Sequence, residues 1–387
     1  MALLKKSIDA HQDFEFNVNL KRKIDYFINI PENNVKGLVV YIAGFGADAG
    51  EYRKKFSSYI ADKFSMACLT VDYHCFFSRP ASGGKINIEP GVLKLLQTLT
   101  GCTNNENIDT ILAKLNQMNP GRKEPLVIPG LIYPEKNEYQ NFGILPAIDH
   151  IYAINDVLIN YPQIPKKIYA IGSSYGGYIA NLISKFAPCT LDGVFDNSSW
   201  AKPNLNYITG RESGSAEFVL QHSPNILIAL NVLSPWSQYL FMPNGFNHDR
   251  FIMRAFPRHH LRVMKEIGNL KTVYKFIHAE NDFIANTGDK KLLVQDMKEE
   301  GFHVDFKVYS QKDDIDGEYI KNLSHGMGVS MRRFFEICYD GIEKHINEET
   351  IVDYDFKHRF EFLCQSQKYI VDYEGSKQPR CCLEPLN

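Results

Sequence analysis

Residues 167–180 read Lys-Ile-Tyr-Ala-Ile-Gly-Ser-Ser-Tyr-Gly-Gly-Tyr-Ile-Ala, a short apolar strand that runs through Gly172-Ser173-Ser174-Tyr175-Gly176 directly into a helix. A serine on a sharp strand-to-helix turn has its hydroxyl pushed clear of the sheet, and flanking glycines let neighbouring backbone pass close beneath it. The new helix aims its first N–H groups at the place where negative charge develops during attack on a carbonyl. Ser174 is therefore the candidate nucleophile. The pattern alone is common, and an ordinary Gly/Ser turn is the bland reading. Its context is more specific. Ile168, Ala170 and Ile171 precede it as strand residues, and Ile179, Leu182, Ile183 and Phe186 follow on one helical face.

A serine hydroxyl needs a base to remove its proton, and the base needs an acid to fix its tautomer. In the recurrent chain order of serine, acid, histidine, both partners lie downstream. The strand Thr272–His278 leads into Ala279-Glu280-Asn281-Asp282, which places Asp282 in the turn after a strand as the candidate acid. Glu280 and Asp196 are its rivals, and a turn or N-cap role is the competing reading of Asp282. His278 lies upstream of the acid and is read as closing the strand. The candidate base is His325, in Asn322-Leu-Ser-His325-Gly-Met-Gly328, between the strand Val304–Tyr309 and a helix from Ser330. An oxyanion hole would draw one N–H from Tyr175 and a second from the loop Gly44-Phe45-Gly46, with Phe45 favoured and Gly44 next. That loop lacks the third glycine of a dinucleotide fingerprint, so no nucleotide cofactor is expected.

The elements that must position these residues alternate. Strand signals fall at Gly37–Ala43, Ala67–Tyr73, Leu191–Phe195, Thr272–His278 and Val304–Tyr309. Phe14–Val18 and Lys23–Ile30 are read as an antiparallel start. Helices are expected at Glu51–Phe64, Ile144–Tyr161, Lys290–Glu299 and Ser330–His345. Alternation of this kind predicts an α/β fold with a mainly parallel central sheet covered by helices on both faces. Ligands of such sheets bind beyond the carboxyl ends of the strands, where every candidate above lies. Residues 76–140, with helices near Val92–Leu99 and Ile108–Met118, and residues 197–268, with a helix near His259–Ile267, interrupt the alternation. They are read as lid or pocket insertions in a single domain over 1–345, followed by a C-terminal extension over 346–387. No role is assigned to that extension.

The 387 residues are 44% hydrophobic and 23% charged, enough for a large core and against general disorder. A formal net charge of -2 without a basic block gives no footprint for a nucleic-acid partner. The start Met-Ala-Leu-Leu-Lys-Lys-Ser has no apolar h-region, and no apolar run is long enough to span a bilayer, so the expected location is cytoplasmic. The cysteines at 68, 75, 102, 189, 338, 364, 381 and 382 form no C-x-x-C pair and are read as reduced thiols. His259-His260 and Cys381-Cys382 are adjacent pairs, poorly spaced for ligation from one element, so no metal is expected.

Four stations in order, Ala43-Gly44-Phe45-Gly46, Gly172-Ser-Ser-Tyr-Gly176, His278-Ala-Glu-Asn-Asp282 and Ser324-His325-Gly326, resemble the α/β-hydrolase superfamily over about residues 23–345. The elbow Gly-x-Ser-Tyr-Gly-Gly-Tyr is close to that of prolyl-oligopeptidase-like serine peptidases, without a counterpart to their β-propeller. Ala43-Gly44 stands where a His-Gly pair is common, a departure that bears on the oxyanion geometry. Tyr139–Asp149 and Asp196-Asn-Ser-Ser-Trp200 also resemble a hydrolase-like family of flagellated epsilon-proteobacteria associated with flagellin-modification loci. These resemblances imply a serine hydrolase that cleaves an ester or amide through an acyl-enzyme, with no cofactor. An esterase or deacylase acting on a small or sugar-linked acyl group is favoured; a peptidase and an acyltransferase are the alternatives within that chemistry. From a different class comes a non-catalytic protein that binds a glycan or a partner in flagellar modification. The aromatics Trp200, Tyr207, Trp236, Tyr239, Phe241 and Phe246 serve that reading if they stack on sugar, Trp200 first as a substrate-binding residue, although packing is the commoner use of such residues.

Overall fold

Short runs rich in Val, Ile and Tyr extend because branched and aromatic side chains pack well on a pleated surface. The computed structural model describes residues 3–45, 50–121, 123–342 and 351–386. Among these, eight strands join into one sheet. They are β1 (Leu4–Asp9), β2 (Lys23–Asn29), β3 (Leu38–Ile42), β4 (Ala67–Asp72), β5 (Ile168–Ser173), β6 (Gly193–Asn197), β7 (Val273–Ala279) and β8 (His303–Tyr309). Their order is β1-β2-β4-β3-β5-β6-β7-β8, with β2 antiparallel to both neighbours and every pairing from β4 to β8 parallel. A mainly parallel sheet in this order, with the second strand antiparallel, is that of the α/β-hydrolase fold.

Every residue of β3, β4 and β6 is buried. Since alternate side chains of a strand point to opposite faces, both faces of the sheet centre are covered. Helix α1 (Glu51–Phe64) packs on β3 and β4 and against α6 (Met331–Tyr339); α2 (Ile144–Asn160) packs against α3 (Tyr175–Phe186), which lies on β5 and β6. All of α3 is buried, in keeping with its Ile-Leu-Ile-Phe face. Two further helices, α4 (Arg258–Gly268) and α5 (Thr287–Glu299), pack on each other, and α5 also lies on β8. The expected Ser330–His345 helix is observed over Met331–Tyr339; residues 343–345 lie outside the described residues. No helix among the described residues is long and apolar enough to cross a membrane.

The strand register sets the stage for the site. Ile42 pairs with Gly172, Ser173 with Asn197, and Asn197 with Ile277. The carboxyl ends of β3, β5, β6 and β7 therefore finish side by side, and the loops after them emerge together.

The antiparallel start differs from the sequence reading. Phe14–Val18 is not a strand: Asp13 and Val18 form an isolated bridge around a turn, and the partner of β2 is Leu4–Asp9. That strand, Leu-Lys-Lys-Ser-Ile-Asp, is an edge strand with mostly exposed side chains, so it carries no apolar periodicity to be read.

The chain divides into two compact units. The first takes in Met1–His74, Phe142–Pro203 and Asn247–Asn387 and contains the eight-stranded sheet. Residues 247–268, grouped by sequence with an insertion, fold with this unit, where α4 packs on α3, on α5 and on the strand Arg359–Leu363. The C-terminal segment adds a three-stranded antiparallel sheet of Arg359–Leu363, Gln367–Asp372 and Arg380–Pro385. It is tied to the same unit by polar contacts. Tyr152 Oη donates to the Pro379 carbonyl at 3.1 Å, and Asp353 accepts from Cys189 N at 3.0 Å and Thr190 Oγ1 at 2.7 Å. The second unit takes in Cys75–Asn141 and Asn204–Phe246. Its sheet orders Lys85–Ile88, Leu126–Tyr133, Ile226–Val232 and Phe218–Ser223, and helices Pro90–Thr100 and Ile108–Met118 pack together. Leu96, Ile111, Leu112, Ile128, Ile228 and Leu230 share its core.

Candidate active site

Ser174 stands between β5 and α3 with φ 55° and ψ -121°, a strained setting for a residue with a side chain. The glycines of the motif explain how the turn fits. A Cβ at Gly172 would lie 2.3 Å from the Gly176 carbonyl carbon, and one at Gly176 would lie 2.1 Å from the Ile42 carbonyl oxygen. Both contacts are impossible, so strand and helix backbones close on each other only with glycine at these positions. The Ser174 N–H donates to the Asn197 carbonyl at 2.7 Å, which fastens the turn to the end of β6.

His325 lies in the loop between β8 and α6. Its backbone curls through left-handed residues at Gly326 (φ 73°), Met327 (φ 51°) and Gly328 (φ 56°), and Met327 N closes on the Ser324 carbonyl at 2.9 Å. Asp282 sits in the turn after β7, where its Oδ1 accepts the N–H groups of Ile284 at 2.9 Å and Ala285 at 3.0 Å. The three side chains meet. Ser174 Oγ is 2.7 Å from His325 Nε2, and His325 Nδ1 is 2.8 Å from Asp282 Oδ2. The His325 side chain keeps 18% exposure and that of Asp282 none, so the imidazole is reachable while the carboxylate is sealed behind it. Burial by itself would raise the Asp282 carboxyl. Hydrogen bonds from His278, His325 and the Ala285 N–H outweigh it and hold the group well below the usual carboxylate range. With Asp282 anionic, His325 can carry its proton on Nδ1, which leaves Nε2 open to accept one from a hydroxyl at the position of Ser174 Oγ.

The rival acids are engaged elsewhere. Asp196 is buried and accepts from Lys290 Nζ at 2.7 Å, Asn181 Nδ2 at 2.8 Å and Ser199 Oγ at 2.6 Å. Glu280 points to Lys291, whose Nζ lies 2.7 and 2.9 Å from its two oxygens. His278 is buried beneath the acid turn, with Nε2 2.8 Å from the Ala285 carbonyl and 3.4 Å from Asp282 Oδ2.

The loop after β3 approaches the nucleophile. A Cβ at Gly44 would come within 2.9 Å of the Ser173 carbonyl oxygen and 3.7 Å of Ser174 Cβ. The Phe45 ring stacks on that of Tyr175, with centroids 3.8 Å apart and planes 11° apart, and Tyr73 Oη donates to the Ala43 carbonyl at 2.9 Å. The two residues expected to supply oxyanion N–H groups are thus fixed to each other through their side chains. Gly46, the last residue of that sequence station, lies outside the described residues. Trp200 is buried, donates its indole N–H to the Ile284 carbonyl at 2.8 Å, and sets its ring 6.1 Å from that of His325.

One residue was not foreseen. Asn197, at the end of β6 and buried, donates Nδ2 to Ser173 Oγ at 2.9 Å and to the Gly326 carbonyl at 3.0 Å, while its own carbonyl holds Ser174 N. It ties the serine turn and the histidine loop to one point. The sequence signal available was its place at a strand end; its partners are too distant along the chain to be read.

The family model described as "Protein of unknown function (DUF2920)" matches residues 5–340. The chain belongs to the DUF2920 family. No curated protein sequence matches it. Among solved structures it is similar to an acylaminoacyl peptidase of Pyrococcus horikoshii, with 11% identity and a TM-score of 0.47 over 90% of this chain and 42% of that one. It is also similar to a putative dipeptidyl aminopeptidase IV of Bacteroides ovatus, with 12% identity and a TM-score of 0.45 over 89% and 36%. A third is Est1E of Butyrivibrio proteoclasticus with ferulic acid bound, with 11% identity and a TM-score of 0.40 over 84% and 95%. The chain spans less than half the length of the two peptidase chains.

Proposed function

We propose that this protein is a serine hydrolase that cleaves an ester or amide through an acyl-enzyme on Ser174. The observation that carries the reading is the continuous relay from Ser174 Oγ to His325 to Asp282, at 2.7 and 2.8 Å, on a strained strand-to-helix turn. Ser174 Oγ attacks the acyl carbonyl carbon as its proton passes to His325 Nε2, and Asp282 stabilises the imidazolium. The N–H groups of Tyr175 and Phe45, with Gly44 as the next donor, hold the oxyanion. On collapse the leaving alcohol or amine takes the proton from His325. Water then attacks the acyl-enzyme by the same route in reverse and releases the carboxylic acid. No cofactor enters these steps. An esterase or deacylase acting on a small or sugar-linked acyl group is the form we favour, with the ring of Trp200 as a wall against the substrate.

Hydrolysis of 4-nitrophenyl acetate tests the roles. Asp282→Asn is expected to lower kcat by about 10⁴-fold, and Glu280→Gln to leave it unchanged. Full activity in Asp282→Asn, or its loss in Glu280→Gln, would overturn the assignment of the acid.

A further inference from the structure

We propose that a cavity at the amino end of β5, away from Ser174, binds a small organic anion with an apolar or ring-shaped body. The cavity has a volume of about 670 Å³ and is built within the first unit, from the end of α2, the residues before β5 and the C-terminal segment. That volume falls in the range of small-molecule sites. Lys166, which lines it, precedes the first residue of β5, whereas Ser174 follows the last. The strand between them spans roughly 20 Å at about 3.3 Å per residue. The cavity is therefore separate from the candidate active site.

Its chemistry is divided between floor and rim. Leu158, Tyr354 and Tyr373 are buried and form an apolar, aromatic floor beside Pro162. The rim is charged. Lys166 is committed to Asp355, with Nζ at 2.8 and 2.7 Å from its oxygens. Lys357 and Lys377 line the same cavity without a carboxylate partner among the described residues. Glu374 is the other acidic lining residue, so three lysines against two carboxylates leave one net positive charge. The ammonium groups of Lys166 and Lys377 stand 5.2 and 5.6 Å from the centroid of the Tyr354 ring, two like charges gathered around one aromatic side chain. An anion in the cavity would accept charge-assisted hydrogen bonds from Lys357 and Lys377, and its body would cover the aromatic floor.

The turn that carries Lys377 is already fixed. Asn155 Nδ2 donates to the Lys377 carbonyl at 2.8 Å, and Gln378 Nε2 donates to the Tyr152 carbonyl at 3.1 Å. Little ordering of the backbone is left to oppose binding. A carboxylate and a phosphate share the required chemistry, and the test separates them.

Full-length protein is titrated with benzoate, phenyl phosphate and the neutral benzyl alcohol, with binding read by saturation-transfer NMR. The expected result is saturable binding of at least one anion and none of the alcohol. Binding should weaken by about tenfold or more in Lys357→Gln/Lys377→Gln, as loss of charge-assisted bonds requires. It should be retained in Lys377→Arg and unchanged in Ser174→Ala. The stronger anion identifies the head group. Absence of saturable binding, an unaffected double variant, or loss of binding in Ser174→Ala would each overturn the proposal. None of these readouts involves turnover, so a failure of the hydrolase reading leaves the result intact.

Discussion

Ser174 occupies a backbone setting that costs of order 1–3 kcal/mol for a residue with a side chain, and the surrounding contacts hold it there. The Asn197 main-chain carbonyl accepts the Ser174 N–H, and its side-chain amide donates to Ser173 Oγ and the Gly326 carbonyl, so one residue ties together the turn of Ser174 and the loop of His325. A displacement of about 1 Å at a reacting pair costs about 10²-fold in rate. Asn197→Ala, which removes the side-chain amide, is therefore expected to lower kcat by about 10²-fold with KM little changed, because the contacts of that amide are to Ser173 Oγ and the Gly326 carbonyl. Ester kinetics check this, and an unchanged kcat would remove Asn197 from the machinery. That Ser174, Asp282 and His325 would come together could be read from the sequence because each lies in the turn or loop that follows a strand of the sheet. Asn197 was not legible as a positioning residue, since its role depends on Ser173 and Gly326, which fold beside it from far along the chain.

At the scale of elements, Asp149 joins α2 to the N-terminal arm. It is fully buried and accepts from Arg22 Nη2 at 2.6 Å and Nη1 at 2.9 Å, from the His74 N–H at 2.7 Å, and lies 3.1 Å from His11 Nε2. Burial alone would raise its carboxyl, but the Arg22 charge and the contacts from His11 hold it well below the usual range. A carboxyl depressed in the folded state contributes stability that is present above its unfolded value, about 3.9, and is lost as pH falls through the folded value. Asp149→Asn is expected to cost about 3–5 kcal/mol at neutral pH, because it removes the carboxylate that pairs with the buried Arg22 guanidinium. The deficit relative to wild type should shrink below about pH 4. Urea denaturation at several pH values measures both, and a deficit that does not change with pH would contradict the linkage. The apolar strands at the sheet centre were legible because burial on both faces makes them continuous Val- and Ile-rich runs. β1 was not, because an exposed edge strand is held by backbone pairing that its side chains do not announce.

Over the whole molecule, the alternation of strands and helices was enough to set the fold class, since each crossover strand needs both faces covered. Other features depend on pairings that local sequence does not encode. In the second unit, Leu126–Tyr133 pairs in parallel with Ile226–Val232 across a long intervening stretch. In the C-terminal segment, three short strands form their own sheet and dock through buried aromatics such as Phe362 and Tyr369 and hydrogen bonds such as that of Tyr152. Hydrolysis through an acyl-enzyme requires a serine activated within the folded protein, and reaction with a fluorophosphonate reports that property directly. Full-length wild type is expected to gain one phosphonyl adduct, mapped by peptide mass spectrometry to Ser174, with none in Ser174→Ala. A folded wild type that stays unlabelled, or a Ser174→Ala variant that still labels, would contradict it.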